Sequence, residues 1–160
     1  MFVRVGVLKP REQGDWGERS AVLWLWSQGA PVFIPFGHSP DIDLMTILDD
    51  RAVRVQVKSC SHWRQNRWEC VLCTHGGNQS WNGIVKRLDP SRYDYLFVAA
   101  ADGRRWWIPS HEVGGGTHIM LGGPKYAAFE VEPGPPMPGA KVLDSDAPRG
   151  DARAVKGSAL

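Results

Sequence analysis

Asp41, Asp43, Gln56 and Lys58 are the residues whose types and spacing could do chemistry together. They fall within Ser39–Ser59, S-P-D-I-D-L-M-T-I-L-D-D-R-A-V-R-V-Q-V-K-S, where two extended segments flank an Asp49-Asp50 turn signal. Val53, Val55 and Val57 alternate with Arg54, Gln56 and Lys58, the period of a strand with one apolar and one polar face. A hairpin centred on Asp49-Asp50 sets Asp43 opposite Gln56 and Asp41 opposite Lys58, all on one face. A carboxylate, an amide oxygen and an ammonium group at a sheet edge suit a site that holds a cation through oxygen. The plainer reading of the same residues is a solvated hairpin face.

The elements around this hairpin must position it. Upstream, a helix is expected from about Trp16 to Ser27, with Asp15 as N-cap, Ala21, Val22, Leu25 and Trp26 as its buried stripe, and Gly29 as its stop. Glu18 then sits in the first turn, where a glutamate also serves as a cap and dipole partner. Ala30–Phe36 reads as a strand bounded by prolines. Downstream come a polar loop over 59–66, a strand over Trp68–Cys73 and a Gly/Asn-rich loop over 74–84. Arg92–Ala101 is an apolar strand expected to be buried on both faces, with Asp102-Gly103 turning it into a partner strand, Arg104–Pro109. Ser110–Val113 suits a short helical turn, and Phe129–Glu132 a last strand. From Pro133 the chain is small, charged, free of aromatics and rich in Pro and Gly, so a domain over 1–132 and a disordered tail over 133–160 are expected.

Composition narrows the function. With 160 residues, 42% of them hydrophobic, the chain can build one core. No apolar run is long enough to span a membrane, and the N-terminus does not read as a signal peptide, so a cytoplasmic, nucleoid-associated protein is expected. The net charge of +2 says little, but Arg51, Arg54, Lys58, Arg64 and Arg67 form a stripe without an intervening acid between them. Such a stripe beside a polar sheet face suits a phosphate backbone. Arg64, Arg67, Lys86 and Arg87 are candidate phosphate contacts, and Gln65, Asn66, Asn78, Gln79 and Asn82 candidate base readers, with Trp63 and Trp81 able to stack. Three cysteines, an odd number, argue against a disulfide scaffold. Cys60, His62, Cys70 and Cys73 contain a C-x2-C spacing, yet Trp68–Cys73 reads as a strand, so a structural Zn2+ is not the expectation.

The order of these pieces resembles the PD-(D/E)XK nuclease superfamily, and within it the group I intron homing endonucleases whose third motif is Q-x-K. Gly17-Glu18, Asp43-Leu44 and Gln56-Val57-Lys58 carry the resemblance, with Tyr93–Val98 and Trp107-Ile108-Pro109 matching the second half of the core. It implies an α/β restriction-endonuclease-like fold, a central mixed sheet flanked by helices. It implies a Mg2+-dependent DNA endonuclease (Mn2+ an acceptable substitute) that hydrolyses phosphodiesters at a specific duplex site, working as a homo-oligomer, a dimer or tetramer. In that assignment Asp43 is the central metal ligand, helped by Glu18, Gln56 and the Val57 backbone carbonyl, and Lys58 handles the attacking water. Pro40-Asp41, the literal Pro-Asp of the superfamily's name, is a secondary candidate. A Holliday-junction resolvase or restriction-type enzyme of the same fold is the alternative, and a non-catalytic nucleic-acid-binding module, with or without zinc, is the alternative of another class.

Overall fold

The computed structural model describes residues 8–75 and 85–140. In chain order its elements are α1 (Pro10–Ser27), β1 (Val32–Phe33), β2 (Leu44–Leu48), β3 (Arg51–Cys60), β4 (His62–Arg64), β5 (Arg67–Val71), β6 (Cys73–His75) and β7 (Val85–Arg87). They continue with β8 (Tyr95–Ala100), β9 (Arg105–Pro109), α2 (Ser110–Val113), β10 (His118–Leu121) and β11 (Glu130–Val131), and 3-10 turns occupy Pro90–Arg92 and Pro124–Phe129.

The β2–β3 hairpin folds in the expected register, Leu44 opposite Val55 through Leu48 opposite Arg51. Asp49 and Asp50 both have positive φ, 49° and 59°, the left-handed pair that a two-residue hairpin turn requires and that Asp tolerates. β3 lies inside a six-stranded sheet of order β1-β2-β3-β8-β9-β11. The β3–β8 pair is parallel and the other neighbours antiparallel, so the sheet is mixed.

Two apolar layers sandwich this sheet. Ala21, Trp24 and Leu25 of α1 pack on Val53, Val55, Val57, Phe97 and Ala99. On the opposite face Leu96, Val98, Ala100, Trp106 and Ile108 meet Trp68, Cys70, Ile119 and Leu121 of a smaller sheet, β10-β5-β4. Alternate residues of β8 therefore enter different cores, which is why its sequence is an unbroken apolar run. Each fully buried side chain of the size of Phe97 contributes about 1.5–3 kcal/mol.

Four boundaries differ from the sequence expectation. Helix α1 starts at Pro10, whose ring pre-sets φ for a first helical residue, and Glu12 accepts the Lys9 N–H at 2.9 Å. Asp15 is thus inside the helix rather than its cap. The first strand shrinks to Val32–Phe33 because Pro31 and Pro35 cannot donate to a ladder. The polar loop over 59–66 is instead the end of β3, then β4 and a tight turn at Gln65 and Asn66 (φ 51° and 59°), while Trp68–Cys73 divides between β5 and β6. Finally, residues 133–140 are not a loose tail. Gly134 donates to Gly103 O at 2.8 Å, Met137 donates to Ala101 O at 2.9 Å, and the Met137 side chain is buried. Gly134 crosses directly over the Arg105 guanidinium, which occupies the space a Cβ would need. One apolar anchor and two backbone bonds offset the ordering cost of this short segment; residues 141–160 lie outside the described residues.

Candidate active site

The site forms where β2 leaves β3. The regular register ends at Leu44 opposite Val55, and Asp43 N–H still donates to Val55 O at 3.0 Å, one residue out of that register. Beyond it, the Val57 N–H is met by the Asp43 side chain instead of a strand partner, donating to Oδ2 at 2.7 Å. The Gln56 amide nitrogen donates to the same oxygen. In an extended strand the N–H and C=O of one residue point to the same side. The Val57 carbonyl therefore faces the gap that β2 vacates, 3.4 Å from Gln56 Nε2. Gln56 is buried, and its Oε1 finds no hydrogen-bond partner among the described residues.

Helix α1 supplies the other wall. It approaches β3 closely at Gly17, where a Cβ would stand 3.1 Å from Ser59 Cβ and 3.6 Å from Val57 Cγ1. Gln13 pins the start of the helix to the same strand: Ser59 Oγ donates to its backbone carbonyl at 3.1 Å, its Nε2 donates to Ser59 O at 3.4 Å, and Ser61 Oγ donates to its Oε1 at 3.2 Å. Because α1 begins at Pro10, Glu18 lies in the third turn, too far along to cap the helix or answer its dipole. It stands instead at the mouth of a cleft of about 360 Å3, lined also by Asp43, Gln56, Val57, Lys58, Gln13 and Ser59.

The electrostatics of this cleft favour a cation. Burial raises the Asp43 carboxyl above its ordinary value, partly offset by the Val57 N–H, the Lys58 charge and the Gln56 amide. Partial burial raises Glu18 as well, and the charges of Asp43 and Asp15 add to it. The Asp43 charge thus makes Glu18 costlier to ionise until positive charge arrives between them. Among the described residues no three of His, Cys, Asp and Glu converge, so a cation here would rest on two carboxylates and on neutral oxygens. Asp43, the Val57 carbonyl, the partnerless Gln56 Oε1 and Glu18 are all hard oxygen donors, the set that Mg2+ takes. The residues fit a divalent cation.

Asp41 is elsewhere. Its buried carboxylate pairs with Arg92 Nε at 2.9 Å and Lys86 Nζ at 3.5 Å, in a separate depression beside Ser39, Arg54 and Ser91. The expected Asp41–Lys58 pairing does not form because β2 has already peeled away at Asp43. Sequence spacing can extend a ladder but does not reveal where it ends.

The expected DNA contacts are spread along the smaller sheet and β7. Gln65 and Asn66 form the tip of the β4–β5 hairpin, and Arg64, within 3.8 Å of Glu69, flanks it. Arg67 lays its guanidinium on Gly123, where a Cβ would be 2.7 Å away. Lys86 answers Asp41, and Arg87 reaches Gly115 O at 3.5 Å. Trp81, with Asn78, Gln79 and Asn82, lies outside the described residues. Trp63 packs edge-on against Trp68, 5.0 Å between ring centroids, and both line an apolar hollow that shares Leu8 and Gln13 with the cleft. Cys60 and Cys70 are buried thiols of the core, in mutual hydrogen-bond contact. Gln13, Ser59 and Arg92 went unnoticed in the sequence, since nothing local marks a Gln, Ser or Arg that acts across the fold.

A mixed sheet with a helix over the catalytic-looking hairpin, Asp43 and Gln56-x-Lys58 side by side, is the restriction-endonuclease-like class of fold. A solved structure titled "The structure of a bacterial homing endonuclease: I-Ssp6803I" is similar to it with a TM-score of 0.67 and 16% identity, over 77% of this chain and 89% of that one. No curated protein sequence matches the chain. The PD-(D/E)XK endonuclease family profile matches residues 8–125, and the chain belongs to that family. It is accordingly a nuclease.

Proposed function

We propose that this chain is a Mg2+-dependent DNA endonuclease of the homing type, hydrolysing phosphodiesters at a specific duplex site. The observation that carries it is the cluster of Asp43, the Val57 carbonyl, Gln56 Oε1 and Glu18 around one cleft, with Lys58 on its wall. The likeness to a bacterial homing endonuclease along most of both chains supports the homing part of the reading.

A bound Mg2+ would offset charge on the phosphate and lower the pKa of a bound water. Asp43 would hold it from the strand, Glu18 from the helix, and Gln56 and Val57 with neutral oxygens. Lys58, adjoining Val57 on β3, would orient the attacking water and donate to the developing charge on the phosphoryl oxygens. Gln56 supplies an amide where a carboxylate would add a further negative charge, so the protein would hold the cation less tightly without the DNA phosphate. Duplex DNA would lie across the cleft with the β4–β5 hairpin, Arg64, Gln65 and Arg67, reaching along it. A homo-oligomer would bring two clefts to two strands.

Cleavage of a plasmid library in Mg2+, followed by end sequencing, tests this. Sites cut at one sequence are expected from the wild type, and Lys58→Ala or Asp43→Ala should abolish cutting while DNA binding persists. Undiminished cutting by both variants would refute the site.

A further inference from the structure

The apolar hollow beside the cleft has aromatic walls. Leu8, Trp63, Trp68, Ala101, Met137 and Pro138 enclose about 330 Å3, within the size range of small-molecule sites, and Gln13 and Ser61 add an amide and a hydroxyl. None of the residues lining it is acidic. Alternation along β4 brings Trp63 to it. His62 and Arg64 turn to the outer side of the small sheet, where they approach Glu69 at 3.6 and 3.8 Å, and Trp63 between them turns inward onto Trp68. The two indole planes meet at 71°. Trp68 is fixed, only 3% exposed and with Nε1 donating to Asp102 Oδ2 at 3.1 Å, whereas Trp63 keeps 39% of its surface exposed.

We infer that this hollow receives one nucleobase, turned out of the duplex, from the DNA strand whose phosphate lies in the cleft. The placing of that strand rests on the proposed nuclease function. Continuity with the cleft selects the occupant. Leu8 and Gln13 line both spaces, and Ser61 follows Lys58 by three residues, on the order of 10 Å along extended chain. A base paired inside a duplex shows only its edge, because its flat faces are covered by its neighbours, so it enters such a hollow only after leaving the stack.

The lining suits a base. The open surface of Trp63 can stack on any of the four, and the apolar walls exclude water around it. Gln13 Nε2 donates one N–H to Ser59 O at 3.4 Å and has a second. Ser61 Oγ, which donates to Gln13 Oε1 at 3.2 Å, keeps lone pairs for a donor on the base edge. The segment 137–140 gains a role here, since its docking through Met137 builds the wall facing Trp63 and Trp68.

Fluorescence anisotropy on the full chain in EDTA tests the hollow without metal or cleavage. The probes are three fluorescein-labelled duplexes of one sequence: fully paired, with one unpaired adenine, and with an abasic site in place of that adenine. The unpaired adenine is expected to bind about tenfold more tightly than the other two. Trp63→Leu, with unchanged far-ultraviolet circular dichroism, should bring the adenine duplex down to the level of the abasic one, and Trp63→Phe should keep most of the gain because its ring still stacks. Equal affinity for all three duplexes overturns the proposal, and is the result if another segment of the chain fills the hollow. An abasic duplex that binds as tightly as the adenine one also overturns it, since the protein then reads a bend rather than a base. Both comparisons need only the wild type, so they hold whether or not a variant folds. A gain that persists in Trp63→Leu overturns it as well. If the adenine gain depends on Trp63 but no duplex is cut in Mg2+, the hollow stands as a nucleobase site and the nuclease reading fails. Cutting in Mg2+ with equal affinity for all three duplexes has the opposite meaning.

Discussion

Replacing Gln56 by a glutamate puts the proposed cation site under direct test. Gln56 is only 5% exposed, and its amide donates to Asp43 Oδ2. Gln56→Glu removes that donor and buries a second carboxylate against the first. A lost hydrogen bond to a charged group costs about 1.5–3 kcal/mol. Like-charge crowding adds to this unless the pair keeps a shared proton. In chelator at pH 8 a loss of roughly 2–4 kcal/mol is expected, a fall in Tm of roughly 4–16 °C for a chain of this size. At pH 5 a proton shared between the introduced carboxylate and Asp43 restores the hydrogen bond, so the loss should shrink to about 1 kcal/mol. Mg2+ should reverse the picture: an added anionic ligand raises metal affinity, and each tenfold gain stabilises the folded state by up to about 1.4 kcal/mol. Thermal denaturation of both proteins, with Mg2+ and with EDTA at the two pH values, reads all four corners. A Tm deficit at pH 8 that is the same with Mg2+ as without it would refute the reasoning, because the amide would then face no cation.

Three other outcomes follow from the geometry. Asp41→Asn should keep cleavage within about tenfold of wild type and cost about 1 kcal/mol of stability, whereas Asp43→Asn should lose about 10²–10⁴-fold in single-turnover rate. Glu18 and Asp43 both have carboxyl groups raised above their ordinary values. In the metal-free protein their contribution to stability is present at low pH and is lost as pH rises through those raised values. A cation needs them ionised, so the Mg2+-induced rise in Tm should grow across the same window and flatten in Asp43→Asn. Gly17→Val should push α1 off Ser59, costing about 1–3 kcal/mol and lowering cleavage more than DNA affinity, which equilibrium binding alongside the rate would separate.

The sequence alone determined the hairpin, its register and the choice of Asp43 over Asp41 as the residue facing Gln56. It could do so because a two-residue turn and a period of two leave one pairing that keeps Val53, Val55 and Val57 on the core side. It also determined β8, since a short apolar run closed by the Asp102-Gly103 turn signal suits a strand covered on both faces. The start of α1, the β4–β5 hairpin, the strand β10 and the docking of 133–140 were not legible. Helix ends answer to a capping contact as much as to periodicity, and short polar strands form only because a partner already stands beside them. What tertiary structure alone decided was the opening of the site. β2 parts from β3 at Asp43, which leaves the Val57 carbonyl to the Gln56 amide instead of a strand partner, turns Asp41 toward Arg92 and Lys86, and lets Gly17 bring Glu18 over the gap. Those contacts join residues far apart in the chain, and only packing of the helix on the sheet settles which of them can meet.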